Sequence, residues 1–146
     1  MTSDFSVAVH ALVYLGHQNA TVSSEALGEN VCTHPARIRK VMARLVKAGM
    51  ACAHEGKAGG GYALANDASS ITLGAVLKAL GGNVVAACWK PGSTHNQCAI
   101  SSGMAAVLDG LYSRLDAHCM DDLEGITIRD IEDQIFSRHC PTLPMQ

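Results

Sequence analysis

Aromatic residues make up only 4% of the chain, too few for the ring-rich faces of a β-sandwich, and abundant alanine favours small-residue helix packing instead. No apolar run approaches the roughly 18 uninterrupted residues of a membrane span, so no membrane partner is expected. Met1 to Asp4 has no basic n-region, and the reading is therefore a cytoplasmic protein, not exported by a signal peptide. There is no C-x-x-C pair, which disfavours a zinc knuckle or a thioredoxin-like motif. No nucleophile–base signature, P-loop or H-E-x-x-H occurs either. An enzyme is not expected.

The chain has 146 residues, 48% of them hydrophobic, enough for a real core in one domain, or in one domain with an extended appendage. Its net charge of −2 conceals a strong segregation. Between His34 and Lys57 lie Arg37, Arg39, Lys40, Arg44, Lys47 and Lys57 against Glu55 alone, a net of +5. Between Asp109 and Asp133 eight acids face Arg114 and Arg129, a net of −6. Such a division fits one surface for an anionic partner and another kept away from it.

Phe5 to His17 carries apolar residues at 5, 7, 8, 9, 11, 12, 13 and 15, a helix buried on more than one side. Ser23 suits the cap of a short helix to about Asn30, with Ala26 and Leu27 inward. Pro35 then opens a third helix whose Ile38, Val41, Met42, Leu45 and Val46 form an amphipathic stripe, closed at Ala48 and Gly49. Arg37, Lys40, Arg44 and Lys47 occupy the other face. Two apolar stretches, Met50 to Ala53 and Tyr62 to Leu64, flank a glycine-rich tip and predict a hairpin. The class is mainly α with a small β-hairpin wing: a winged helix-turn-helix over residues 1–81. Thr72 is expected to cap a helix running through Leu80. Residues 82–98 read as an exposed loop, and 99–138 as a long helix and a short acidic one with Ile128, Ile131 and Ile135 inward. Residues 139–146 read as a flexible tail. Ile100, Met104, Val107, Leu108, Leu111 and Leu115 form a stripe too apolar for a monomer surface, which predicts a homodimer.

The expected DNA-contacting residues are Ser24, Thr33, His34, Arg37, Arg39, Lys40 and Arg44, with His54, Lys57, Gly59 and Gly60 in the wing. Arginine and lysine neutralise phosphates, and residues near the start of a recognition helix reach base edges. The partner is double-stranded DNA. The competing reading is a dimeric metal- or cluster-binding protein with no DNA role. Cys52 and Cys119 read as core fillers and Cys32 as a packed thiol, while His139 and Cys140 are expected to be inert. Cys88 and Cys98 share a polar loop, where thiolates bind iron, join in a disulfide or react with electrophiles.

Val7-Ala-Val-His-Ala-Leu12, Arg44-Leu-Val-Lys-Ala-Gly49, Gly59-Gly-Gly-Tyr62, Ile71-Thr-Leu-Gly74 and Cys98 before the long helix resemble, in order and spacing, the Rrf2 family of bacterial regulators. The resemblance spans about Phe5 to Ile131. It implies a winged-helix homodimer on palindromic DNA, repression as the expected mode, and often an iron–sulfur cluster held by three cysteines in the loop. Here the loop has two cysteines, Cys88 and Cys98, with His95 between them, and Ser101 where some members place a histidine. His10 stands where a few relatives draw a ligand from the first helix. Ser6, one turn earlier, is no substitute for an acidic ligand. The wing arginine of several members is absent, with His54, Glu55 and Lys57 around its place. A thiol switch asks less of this sequence than a [2Fe–2S] cluster and is the preferred reading.

Overall fold

In the computed structural model, which describes residues 2–56 and 58–139, the chain is built around its first helix, α1 (Ser3–Gln18). Phe5, Val7, Ala8, Ala11, Leu12 and Leu15 are buried on it because four further helices and one strand of the hairpin all pack against it. Asn19 ends α1 at φ 48°, a left-handed geometry that asparagine tolerates. The Ser23 hydroxyl accepts the Ala26 N–H at 3.1 Å and starts α2 (Ser24–Val31). Leu27 is inward as expected, and Ala26 is half-buried.

α3 (Pro35–Lys47) follows after three residues, its first turn closed by the His34 ring, whose Nδ1 accepts the Ala36 N–H at 3.1 Å. Its buried residues are Ile38, Val41, Met42 and Leu45, so the apolar stripe is the docking face. Gly28 lets the turn close: a Cβ there would stand 2.8 Å from the Thr33 carbonyl oxygen.

β1 (Ala51–His54) and β2 (Gly61–Leu64) pair antiparallel, Ala51 opposite Leu64 and His54 opposite Gly61. Tyr62 also exchanges two backbone hydrogen bonds of 2.8 Å with Val22, which fastens the wing to the segment before α2. Gly61 makes this possible. Its φ is 151°, and a Cβ would sit 2.3 Å from the Val22 carbonyl oxygen. Gly61→Ala is expected to destabilise the fold by on the order of 3 kcal/mol, from strain plus the lost bridge. Thermal unfolding should show a Tm lower by roughly 10 °C; an unchanged Tm would mean that the bridge does not form.

Thr72 caps α4 (Leu73–Ala79) through the Ala75 N–H. α5 (Ala99–Glu124) leaves the body, packing mainly on α4, and none of its residues is buried. The chain then returns. Leu73 N–H bonds to Ile126 O, and Ile128 N–H to Ile71 O, placing α6 (Ile128–His139) against α1. Ile128 is fully buried, so α6 completes the core of the winged-helix unit. Two expectations need correction. Ile135 is not buried but 42% exposed, because it lines an open apolar groove between α6 and α1 that none of the described residues fills. Cys32 is not packed but exposed, because it ends α2 at φ 58° on the outside of the turn. Cys52 and Cys119 are half-buried and outside the core cluster. The tail from Cys140 onward, and Lys57, lie outside the described residues.

Candidate nucleic-acid interface

α3 presents two kinds of cation. Lys40, Arg44 and Lys47 are exposed, and among the described residues nothing pairs with them. The two arginines near its start are engaged. Arg37 Nε and Nη2 donate to Asp4 Oδ1 at 2.9 and 2.7 Å, and Nη2 also donates to Ser3 Oγ at 2.6 Å, tying α3 to the start of α1. Arg39 Nη1 donates to Ser24 Oγ at 3.0 Å and to Glu25 Oε1 at 3.2 Å. The Glu25 carboxyl is held below the usual carboxylate range by its own backbone N–H, then by the Ser24 hydroxyl, with Arg39 adding to it.

Thr33 is half-buried, its N–H bonded to Gly28 O, and His34 is exposed but spends Nδ1 on capping. In the wing His54, Glu55 and Gly59 are exposed and Gly60 is half-buried. An open cleft of about 790 Å³ separates the wing from the start of α2, lined by Thr21, Ser23, Glu25, His54, Glu55 and Gly59. The structure thus brings Ser24, Arg39 and the wing to one side of the molecule. Asp4, Ser3 and Glu25 were not expected at this surface; an acid in the first turn of a helix was the one visible hint.

Most acids of the C-terminal half have internal work. Asp109 pairs with Lys90, Asp116 Oδ1 accepts the Val84 and Val85 N–H groups at 2.8 Å each, and Glu124 binds Lys78 and Thr72. Glu132, buried, takes His17 Nδ1 and Arg129 Nη1, both at 2.9 Å.

The cysteine loop lies elsewhere. Cys98 stands at the residue just before α5, and the backbone N–H groups of Ser101 and Ile100 in the first turn pull its thiol below the ordinary value. Cys88 and His95 are exposed. His10 is on the first helix, its Nε2 2.9 Å from Asn30 Oδ1, at the edge of an apolar groove of about 560 Å³ between α1 and α6. Among the described residues no three His, Cys, Asp or Glu side chains gather as metal ligands. A cluster needs four ligands, and the described residues of one chain do not bring that many together.

Against known proteins, the model of the Rrf2 family, described as iron-dependent transcriptional regulators, matches residues 1–134. The chain belongs to the Rrf2 family. Its winged helix is therefore that of a DNA-binding transcription regulator, not of an enzyme, and the reading without a DNA role falls. A Lactobacillus plantarum protein assigned as a transcriptional regulator is 26% identical, with a TM-score of 0.78 over 95% of this chain and 97% of that one. IscR of T. potens is 19% identical, with a TM-score of 0.73 over 98% and 93%. CymR, the global cysteine regulator of B. subtilis, is 15% identical, with a TM-score of 0.68 over 92% and 96%. These last two likenesses show the fold alone. No functionally curated protein matches the sequence. Among the described residues of this Rrf2 chain no helix is long and apolar enough to cross a membrane.

Proposed function

We propose that this Rrf2 chain is a cytoplasmic homodimeric repressor that reads two half-sites of a palindromic operator and senses thiol oxidation at Cys88 and Cys98. The observation that carries the DNA part is α3, which docks by its apolar stripe and turns Lys40, Arg44 and Lys47, unpaired among the described residues, outward. These cations displace counterions along phosphates, while Thr33 and His34 stand at the end of α3 that reaches base edges. The dimer is supported by α5, which leaves Ile100 71% and Val107 70% exposed along with Met104, Leu111 and Leu115. Leu108, on the same helix, is half-buried. No monomer keeps such a stripe in water without cost.

Cys98 is the sulfur suited to attack, since its lowered pKa raises the thiolate fraction and its position is exposed. With hydrogen peroxide as oxidant, the Cys98 thiolate takes one oxygen as sulfenic acid and, with the thiol proton, releases the first water. The Cys88 thiol then displaces the second water to give a disulfide. Two thiols lose two electrons and two protons, and the peroxide leaves as two waters.

A duplex selected by the reduced protein from a random pool tests the reading. Reduced wild type should bind it with steep salt dependence, and peroxide should weaken binding. Cys88→Ser and Cys98→Ser should bind equally well and ignore peroxide as a disulfide-forming signal. No selectable duplex would overturn the DNA reading; an identical peroxide response in all three proteins would remove the loop as sensor.

A further inference from the structure

The cations of α3 differ in one respect that bears on sequence discrimination. Arg39 is the exposed arginine whose charge is already met within the chain, by Glu25 at the start of α2 and by the Ser24 hydroxyl. Ser24 is itself more than nine-tenths buried, and its hydroxyl also donates to Glu25 Oε2 at 3.1 Å. The three side chains form a closed set, of which Ser24 and Glu25 line the cleft between wing and α2. Only Nη1 of Arg39 is spent there, and among the described residues its Nη2 and Nε donors have no partner. Arg37 differs: both Nε and Nη2 are taken by Asp4 and Ser3, a clamp between α1 and α3.

We infer that Glu25 is a specificity-determining residue, which neutralises and orients the Arg39 guanidinium so that it answers a base edge rather than the phosphate backbone. The inference rests on the reading of α3 as the helix that faces DNA. A free arginine is drawn to any phosphate and contributes equally to every sequence. An arginine that shares a carboxylate has little net charge to offer a phosphate, and the carboxylate itself repels one. Its open donors nonetheless match the paired O6 and N7 acceptors of guanine, an uncharged partner whose recognition depends on a fixed guanidinium plane. The pair is solvent-exposed on both sides, hence weak enough to adjust when DNA arrives. Lys40, Arg44 and Lys47 then supply the sequence-independent attraction, and Arg39 the discrimination.

The test compares full-length wild type, Glu25→Gln, Arg39→Ala and the double variant, by fluorescence anisotropy over a salt series. The probes are a mixed-sequence duplex and the duplex selected by the wild type. Glu25→Gln should bind mixed-sequence DNA roughly 3–10-fold tighter, with a salt slope steeper by about 2, one freed arginine per protomer. Its affinity for the selected duplex should change less, so the specificity ratio falls. In the Arg39→Ala background the same change should have little effect on either probe. If Glu25→Gln strengthens mixed-sequence binding as much without Arg39 as with it, the carboxylate merely repels phosphate and the inference is overturned. An unchanged ratio in Glu25→Gln overturns it as well. Failure of the wild type to bind either duplex would instead remove the DNA reading of α3 on which it stands.

Discussion

Leu111→Asp is expected to leave a folded monomer that no longer holds its operator. Leu111 is 37% exposed in the single chain and is not one of the buried residues of the core cluster, so the winged-helix unit should keep its structure. In the dimer the new carboxylate would be buried twice, close to its own copy. Each unpaired buried charge costs several kcal/mol, roughly enough to dissociate a helix pair of this size. A monomer binds one half-site and loses the effective concentration that links two, about 10²–10⁴ in affinity. Sedimentation should give half the wild-type mass with unchanged circular dichroism from the core helices, and anisotropy should show only weak half-site binding. Wild-type mass and affinity in this variant would show that α5 has another purpose.

Lys40→Ala combined with Arg44→Ala is expected to weaken binding to every sequence while sparing the fold. Both side chains are exposed, and neither has a partner among the described residues to lose. A dimer would lose four phosphate contacts, so the slope of log affinity against log salt should become shallower by about 3–4. At moderate salt this amounts to roughly 10²–10³-fold in affinity, spread evenly over specific and mixed duplexes. A loss confined to the selected duplex would mean that these residues read bases. No loss at all would move the DNA-facing surface away from α3.

The elements that carry a local signature were legible in the sequence. The stripe Ile38, Val41, Met42 and Leu45 has helical spacing, and its residues are the buried ones of α3. Ser23 and Thr72 announced two helix starts because a capping hydroxyl serves its own neighbours, three residues away. Gly59 to Gly61 between two apolar stretches marked the wing for a similar reason. What was not legible depends on long-range placement. Asp4 is 33 positions from Arg37 and Glu25 is 14 from Arg39, so no spacing reveals either pair before the helices are packed. Periodicity placed Ile135 inward because it reports a face, but it does not report whether the groove on that face is filled within one chain. Cys32 looked like a small packed residue, yet the left-handed end of α2 turns it out. The candidate sensor residues were legible only as a list: the structure keeps His10 on α1 and Cys98 at the start of α5.

The two ends of α5 are held very differently. Glu124 is stapled to Lys78 and Thr72, and Asp116 grips the Val84 and Val85 amides, so the last turns are fixed to the body. The 17 residues from Ala99 to Leu115 extend beyond that grip as an arm about 25 Å long at 1.5 Å per residue. Cys98 sits at the tip. A tilt of about 10° at the clamped end swings the tip by roughly 4 Å, more than the ~3.4 Å rise of one base pair. In a dimer joined along this arm, such a swing would put the two recognition helices out of register with their half-sites while every contact within each winged helix stayed intact.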